Sequence, residues 1–464
     1  MVFSSITFLC IFLPIVFLLH CILPDIRARN GMLLAASLLF YAYGEPVYVL
    51  LMVFSAYFHY LCAVMIDRYS SGKRWIVAVA VTESILMLLV FKYTGFLADL
   101  ANHLPGVNVP VPSIRLPLGI SFFTFQSMSY VIDVYRGTAK AQKSFGKVLL
   151  YISFFPQLIA GPIIKYHDIE KEINERYVTI DRVASGIRRF IAGLSKKVLI
   201  SNTMGIVADT LFAADKGSIN AVVAWIGAIS YLYQIYYDFS GYSDMAIGMG
   251  EMFGFHFREN FNYPYVSGSI REFWRRWHIS LSDWFLEYLY IPLGGNRKGR
   301  RRTVLNKFIV FLCTGIWHGA NLTFIFWGIY HGFFLMLEEY VPFISRKGGP
   351  IKTVLQHIYT LFIVCMGFVF FRSDTLRDAI FWIKEMFTGF RFGRAGMSLA
   401  LQQLTPVYLL TLTIAVISCF PIIQRIKSRR YYEPASCVLS LASFALCMLS
   451  LASGTYNPFI YFRF

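Results

Sequence analysis

Charge is what this sequence has least of. Only 15% of its 464 residues are Asp, Glu, Lys or Arg, against ~25% in an average soluble domain, and no hydrophilic block is long enough to be a soluble domain of its own. Acidic residues are the scarcer sign, 26 against 43 Lys and Arg. Cysteine is sparse too, eight in all, with no C-x-x-C and no zinc-type spacing, so neither a disulfide framework nor a structural metal site is indicated. Cys10, Cys21, Cys62, Cys313, Cys365, Cys419 and Cys447 fall inside apolar segments and read as small core hydrophobes. There is no Walker A loop, no G-x-S-x-G elbow, no H-E-x-x-H pair and no carboxylate cluster of the kind that holds a metal for glycosyl transfer. No bound cofactor and no metal is therefore expected. No internal repeat is found either, which weighs against an inverted-repeat transporter.

What the sequence has instead is apolar helix. Hydrophobic residues make up 57% and aromatic residues 17% of the chain, and mean hydropathy is +0.56. A hydrocarbon layer of ~30 Å needs about 20 apolar residues per crossing. Stretches of that kind recur from residues 5–24 and 46–66 through 186–212, 221–248 and 305–338 to 353–371 and 435–453. The chain reads as an all-α polytopic membrane protein in one membrane domain spanning 1–464. Residues 1–115 form a helical scaffold, 116–340 a core rich in motifs, and 341–464 the C-terminal helices. The first segment lacks a basic n-region and a cleavage signal and is expected to be a retained helix.

The excess of positive charge, +17 formally, sits in short runs between apolar segments: 68–74, 296–302, 346–352 and 425–430. That is the pattern of the positive-inside rule and excludes a nucleic-acid partner, which needs one basic face. It leaves room for an anionic cytosolic ligand such as a nucleotide thioester. Residues 99–117, rich in Pro and Asn, should be an ordered loop outside the membrane. Residues 165–190 should hold a surface helix and then a second helix capped by Thr179 or Asp181. Between 238 and 302, Gly, Asp, Arg, His and aromatics mix without a clean apolar run. This suits interfacial helices and a partly re-entrant funnel.

An ionisable residue inside a spanning segment is costly and so suggests function. His318 is the sharpest example, placed in the apolar run 311–334 between Trp317, Gly319 and Asn321. An imidazole there suits a general base or a buried structural histidine. Treated as one helix, the run puts His331 about 140° away around the axis, which favours a packing role for it. In "WRRWHISLSDWF", His278 and Asp283 either face a funnel or lie on an interfacial helix with Trp274, Trp277 and Trp284. Residues 233–248 bring Gln234, Asp238, Ser240, Tyr242, Ser243 and Asp244 to the end of another run. They form a polar cavity wall, if Gly241 breaks the helix, or a set of interhelical hydrogen bonds. A transporter or flippase for a glycan is the rival class to an enzyme at this point.

Eight stretches together, "ISFFTFQSMSYVIDVYRG", "FFPQLIAGPI", "YYDFSGYSDMAIG", "NFNYPY", "FWRRWHISLSDWF", "YIPLGGNRKG", "GIWHGAN" and the terminal "NPFIYFRF", resemble the membrane-bound O-acyltransferase family. The resemblance runs over nearly the whole chain and is strongest to the branch that O-acetylates alginate and peptidoglycan. It implies a ring of about 11 tilted transmembrane helices, with re-entrant and interfacial helices, around a central tunnel. It also implies a bacterial cytoplasmic (inner) membrane location. His318 matches the family's invariant histidine and His278 its second, less uniform one. Trp317, Asn321, Trp274, Gln234, Asp238, Ser240 and Asp244 are then candidates for a supporting tunnel wall. Arg297, Lys298 and Arg300 are candidates for a rim that binds acetyl-CoA as the acyl donor. The implied partners are the lipid bilayer, an exported polysaccharide and an extracytoplasmic SGNH-like acetyltransferase. D-alanyl transfer from a carrier protein to teichoic acid is the alternative within the same chemistry.

Overall fold

The computed structural model describes residues 2–159, 161–346, 348–426, 431–454, 456–458 and 460. The described residues form helices and connecting turns, with no strand among them. The helices used below are α1 (Tyr48–Arg68), α2 (Lys73–Asn102), α3 (Ile180–Phe212), α4 (Ala221–Phe253), α5 (Ile270–Arg276), α6 (Ile279–Phe285), α7 (Gly299–His318), α8 (Leu322–Tyr340), α9 (Pro350–Arg372) and α10 (Tyr432–Ala452). Among them α1, α2, α3, α9 and α10 are long and apolar enough to cross a membrane. The pair Arg394–Gln403 and Pro406–Ser418, bent by 66°, passes the same test jointly. Residues 165–190 fold as expected, with a helix over Tyr166–Asn174 and then α3, whose first turn is capped by Thr179 Oγ1 accepting from Arg182 N at 3.3 Å.

The chain divides into two compact units, residues 1–190 with 242–258, and 191–241 with 259–464. The first unit is built on packed aromatics, including Phe12 against Phe155 at 5.3 Å and Phe155 against Phe253 at 5.7 Å. Its polar groups are paired internally. Arg176 donates to Asn30 Oδ1 at 2.6 Å and to the Phe253 carbonyl at 3.0 Å, and His59 bridges α1 and α2 through Ser84 Oγ at 3.0 Å. Asp244 belongs to this unit and is held by Arg189 at 3.0 Å.

The helix α4, whose residues 221–241 belong to the second unit and 242–253 to the first, does not break at Gly241; it is continuous over 33 residues. Gly241 is small for another reason, since a Cβ there would lie 2.8 Å from the Gly193 carbonyl. It permits α3 and α4 to cross in backbone contact. Beside this crossing α3 widens into a π-helical segment, Lys196–Ser201. Lys197 then meets Asp238 at 2.5 Å, both side chains almost wholly buried. The same pair receives the end of the described chain: Lys197 donates to the Pro458 carbonyl, and Ile460 N donates to Asp238 Oδ2 at 3.0 Å. Of the terminal "NPFIYFRF" motif, Phe459 and residues 461–464 lie outside the described residues, as do the last four of the basic run 425–430.

A buried ion pair is costly to break by halves, because the remaining charge has no solvent. Asp238→Asn or Lys197→Met alone should lower the thermal midpoint of the purified protein, for a cost of about 3–5 kcal/mol. The double variant Lys197→Met with Asp238→Leu should recover most of the loss. Equal melting of single and double variants would refute the pairing.

Candidate active site

The apolar run 311–334, expected as one span, is two helices. α7 ends on His318, the backbone at Gly319 is extended, and α8 starts at Leu322. The two helices pack as an antiparallel hairpin through glycines. A Cβ at Gly328 would lie 2.5 Å from the Phe311 carbonyl, and one at Gly315 would strike the Phe324 carbonyl. The helix break explains why the estimate of His331's bearing fails, since His318 and His331 do not share an axis. It also reassigns Asn321. Instead of lying one turn past His318, Asn321 caps α8, its Oδ1 accepting from Thr323 N at 3.0 Å while its Nδ2 donates to the Asp374 carbonyl at 2.8 Å.

His278 sits at a corner of similar kind. It joins α5 to α6 with φ +47°, a left-handed conformation that among the described residues only Tyr263 shares outside glycine. Neighbouring chain braces it on both sides. Asn262 N donates to the Arg276 carbonyl at 2.9 Å, Ile279 N to the Asn260 carbonyl at 2.9 Å, and Ser280 N to Asn260 Oδ1 at 3.1 Å. The "NFNYPY" stretch is thus a backbone splint for His278. α5 is anchored in turn by Glu338 of α8, whose buried carboxylate accepts from Ile270 N at 2.6 Å and Arg271 N at 3.0 Å. Satisfying the free N–H groups of a helix start with a carboxylate is favourable in hydrogen bonds and in the helix dipole together.

These supports bring His278 and His318 to one cavity of about 600 Å³. Trp274, Trp277, Phe311 and Thr314 line its apolar wall, and Asp283 and Ser282 also face it. Both histidines are largely buried, at 5% and 7% exposure. The Trp317 ring contacts both, 6.4 Å from His278 and 5.0 Å from His318, but does not itself line the cavity. His318 is further enclosed edge-on by Trp327 at 5.1 Å and Phe371 at 5.0 Å. The charged wall comprises Arg271, Arg275, Lys307 and Glu339. Glu339 receives Lys307 at 2.6 Å and also Arg271.

Several sequence candidates are placed elsewhere. Gln234, Asp238 and Ser240 do not line this cavity. Asp238 is consumed by Lys197, Asp244 by Arg189, and the Gln234 carbonyl accepts from Ser201 Oγ at 3.1 Å. Arg297, Lys298 and Arg300 are not on the cavity wall either. Arg300 stacks 5.0 Å over Tyr340 and donates to the Glu339 carbonyl. The residues the sequence did not single out, Arg271, Lys307, Glu338 and Glu339, carry a faint signal: two adjacent acids closing an apolar run are rare enough to suggest a fixed task.

The site can now be set beside known proteins. The sequence profile of the membrane-bound O-acyltransferase family matches residues 36–373. The chain belongs to that family. It is 39% identical to the "Probable alginate O-acetylase" of Pseudomonas putida over the full length of both chains. It is 36% identical to the peptidoglycan O-acetyltransferase of Helicobacter pylori, over 83% of this chain and 80% of that one. The teichoic acid D-alanyltransferase of Bacillus subtilis is 28% identical, over 66% of this chain and 79% of its own. The protein is accordingly a multi-pass membrane acyltransferase, and both histidines that the family resemblance marked lie on the one cavity just described.

The capping role of Asn321 has a direct check. Asn321→Ala should destabilise by about 1 kcal/mol, while Asn321→Ser, which keeps a capping oxygen, should stay within about 0.5 kcal/mol of wild type. Melting midpoints of the two variants decide it, and equal losses would contradict the assignment.

Proposed function

We propose that the protein moves acetyl groups from cytosolic acetyl-CoA across the bacterial cytoplasmic membrane for O-acetylation of an exported polysaccharide. The observation that carries this is the meeting of two histidines, His318 and His278, on a single cavity. Relatives named for alginate and peptidoglycan O-acetylation support acetyl as the group and a glycan as the destination.

Transfer breaks the thioester C–S bond and forms a C–O ester, the hydroxyl proton passing finally to the departing thiolate. That needs a base close to the hydroxyl and donors near the developing oxyanion. A neutral His318 on the cavity wall is suited to take the proton. His278, held rigidly at its corner, is suited to orient or to donate. An acetyl-histidine intermediate would divide the same chemistry into two steps. The cations on the wall, Arg271, Arg275 and Lys307, suit the phosphates of the donor better than the 297–302 run does. The receiving hydroxyl belongs to the polysaccharide or to a serine of an SGNH-like extracytoplasmic partner.

Purified protein in lipid vesicles, given radiolabelled acetyl-CoA, tests the reading. Wild type should consume the thioester, and His318→Ala should reduce the rate by on the order of 10³ or more while melting normally. Lys307→Gln should raise KM for the donor, and Arg297→Gln should leave it unchanged. A thioester that wild type leaves intact, with an alanyl-loaded carrier protein consumed instead, would favour D-alanyl transfer, in line with the more distant relative.

A further inference from the structure

His331 is wholly buried, and neither of its ring nitrogens has a hydrogen-bond partner among the described residues. The same is true of the indole nitrogens of Trp274 and Trp327. These three rings form a mutual cluster: Trp274 to Trp327 is 5.3 Å at 89°, Trp274 to His331 is 4.9 Å at 84°, and Trp327 to His331 is 5.0 Å at 68°. Packing alone accounts poorly for an imidazole here. A buried polar group left unsatisfied costs about 1–3 kcal/mol, and Leu or Phe would fill the same space without that cost.

The cluster stands next to the reacting histidine. Trp327 meets His331 on one side, one helical turn away on α8, and on the other it lies edge-on against His318, 5.1 Å at 87°. Trp274 belongs both to the cluster and to the cavity wall. α9 closes the far side, where Gly367 leaves room for the imidazole; a Cβ at that position would strike His331 Nε2. A neutral imidazole offers one N–H and one bare nitrogen. Neither nitrogen is hydrogen-bonded to an indole among the described residues. What the imidazole brings that an aliphatic or phenyl side chain does not is a dipolar ring edge against the Trp274 and Trp327 rings, which favours one orientation of each.

We infer that His331 is a positioning residue, which fixes the Trp327 indole and through it the orientation of the His318 imidazole at the cavity. The inference rests on the proposed acyl transfer for its kinetic effect, but its geometry holds for His318 whatever the acyl group. The Trp327 indole is the link, because it is the ring in contact with both imidazoles. Displacing a reacting group by about 1 Å costs on the order of 10²-fold in rate, so loss of this support should be read in kcat rather than in donor binding.

Three variants separate positioning from packing. His331→Phe keeps a ring and removes both nitrogens, His331→Gln keeps a donor and an acceptor, and Gly367→Ala keeps the imidazole but displaces it. In vesicles with acetyl-CoA, His331→Phe and Gly367→Ala should lower kcat by about 10- to 100-fold with KM nearly unchanged, and His331→Gln should recover part of the loss. Independently of turnover, the rate at which diethyl pyrocarbonate modifies His318, followed by mass spectrometry, should change several-fold in His331→Phe. Wild-type kcat and wild-type His318 reactivity in His331→Phe would overturn the inference, as would a rise in KM at constant kcat. If His331→Phe does not fold, His331→Gln and Gly367→Ala carry the same comparison. If wild type shows no acetyl-CoA turnover, the functional reading fails, while the reactivity measurement still decides the role of His331.

Discussion

Everything at the site depends on a backbone contact. Gly315 and Gly328 let α7 and α8 approach until main chain meets main chain, and membrane helices, which gain no hydrophobic energy from association, rely on such close packing. Because the hairpin is this tight, α7 has to stop at His318 and turn through Gly319 before α8 begins. The histidine is thereby presented at a helix end on a cavity wall rather than along the side of a straight span. At the break Gly319 is buried and Ala320 and Asn321 are half-buried, and Asn321 satisfies the free start of α8, the kind of setting in which non-helical backbone is tolerated.

The second histidine is held by a different device with the same result. His278 occupies a left-handed corner between two short helices, a conformation that costs on the order of 1 kcal/mol or more and persists only where the surroundings over-determine it. The Asn260–Asn262 splint and the Glu338 carboxylate supply that determination. Glu338 and its neighbour Glu339 thus connect the hairpin to the corner. One anchors the start of α5, and the other gathers Lys307 and Arg271 at the charged wall.

Much of this was legible in the sequence, and the failures have physical reasons. Composition alone identified a helical membrane protein, and the cost of an imidazole in an apolar run singled out His318. At Asp238 and Asp244 the same rule left two readings open, because a carboxylate neutralised by Lys197 or Arg189 looks in sequence like one that faces a cavity. For a related reason the cations that line this cavity were not singled out. A dense basic run at 296–302 draws the eye, whereas Arg271 and Lys307 come together only through the folding of α5 against the hairpin. The break at Gly319 was hidden by the apolarity of its flanks, and with it the true setting of His331. Hydropathy windows do not distinguish one span from a hairpin with a tight turn.

The central claim is that the acyl group is handled at the cavity between His318 and His278. A structure with a non-hydrolysable thioether analogue of acetyl-CoA tests it most directly. The account predicts phosphates against Arg271, Arg275 or Lys307, and the acetyl carbon within about 3–4 Å of a His318 nitrogen, the reach expected for reacting groups. An analogue bound with its acetyl group away from both histidines would contradict it.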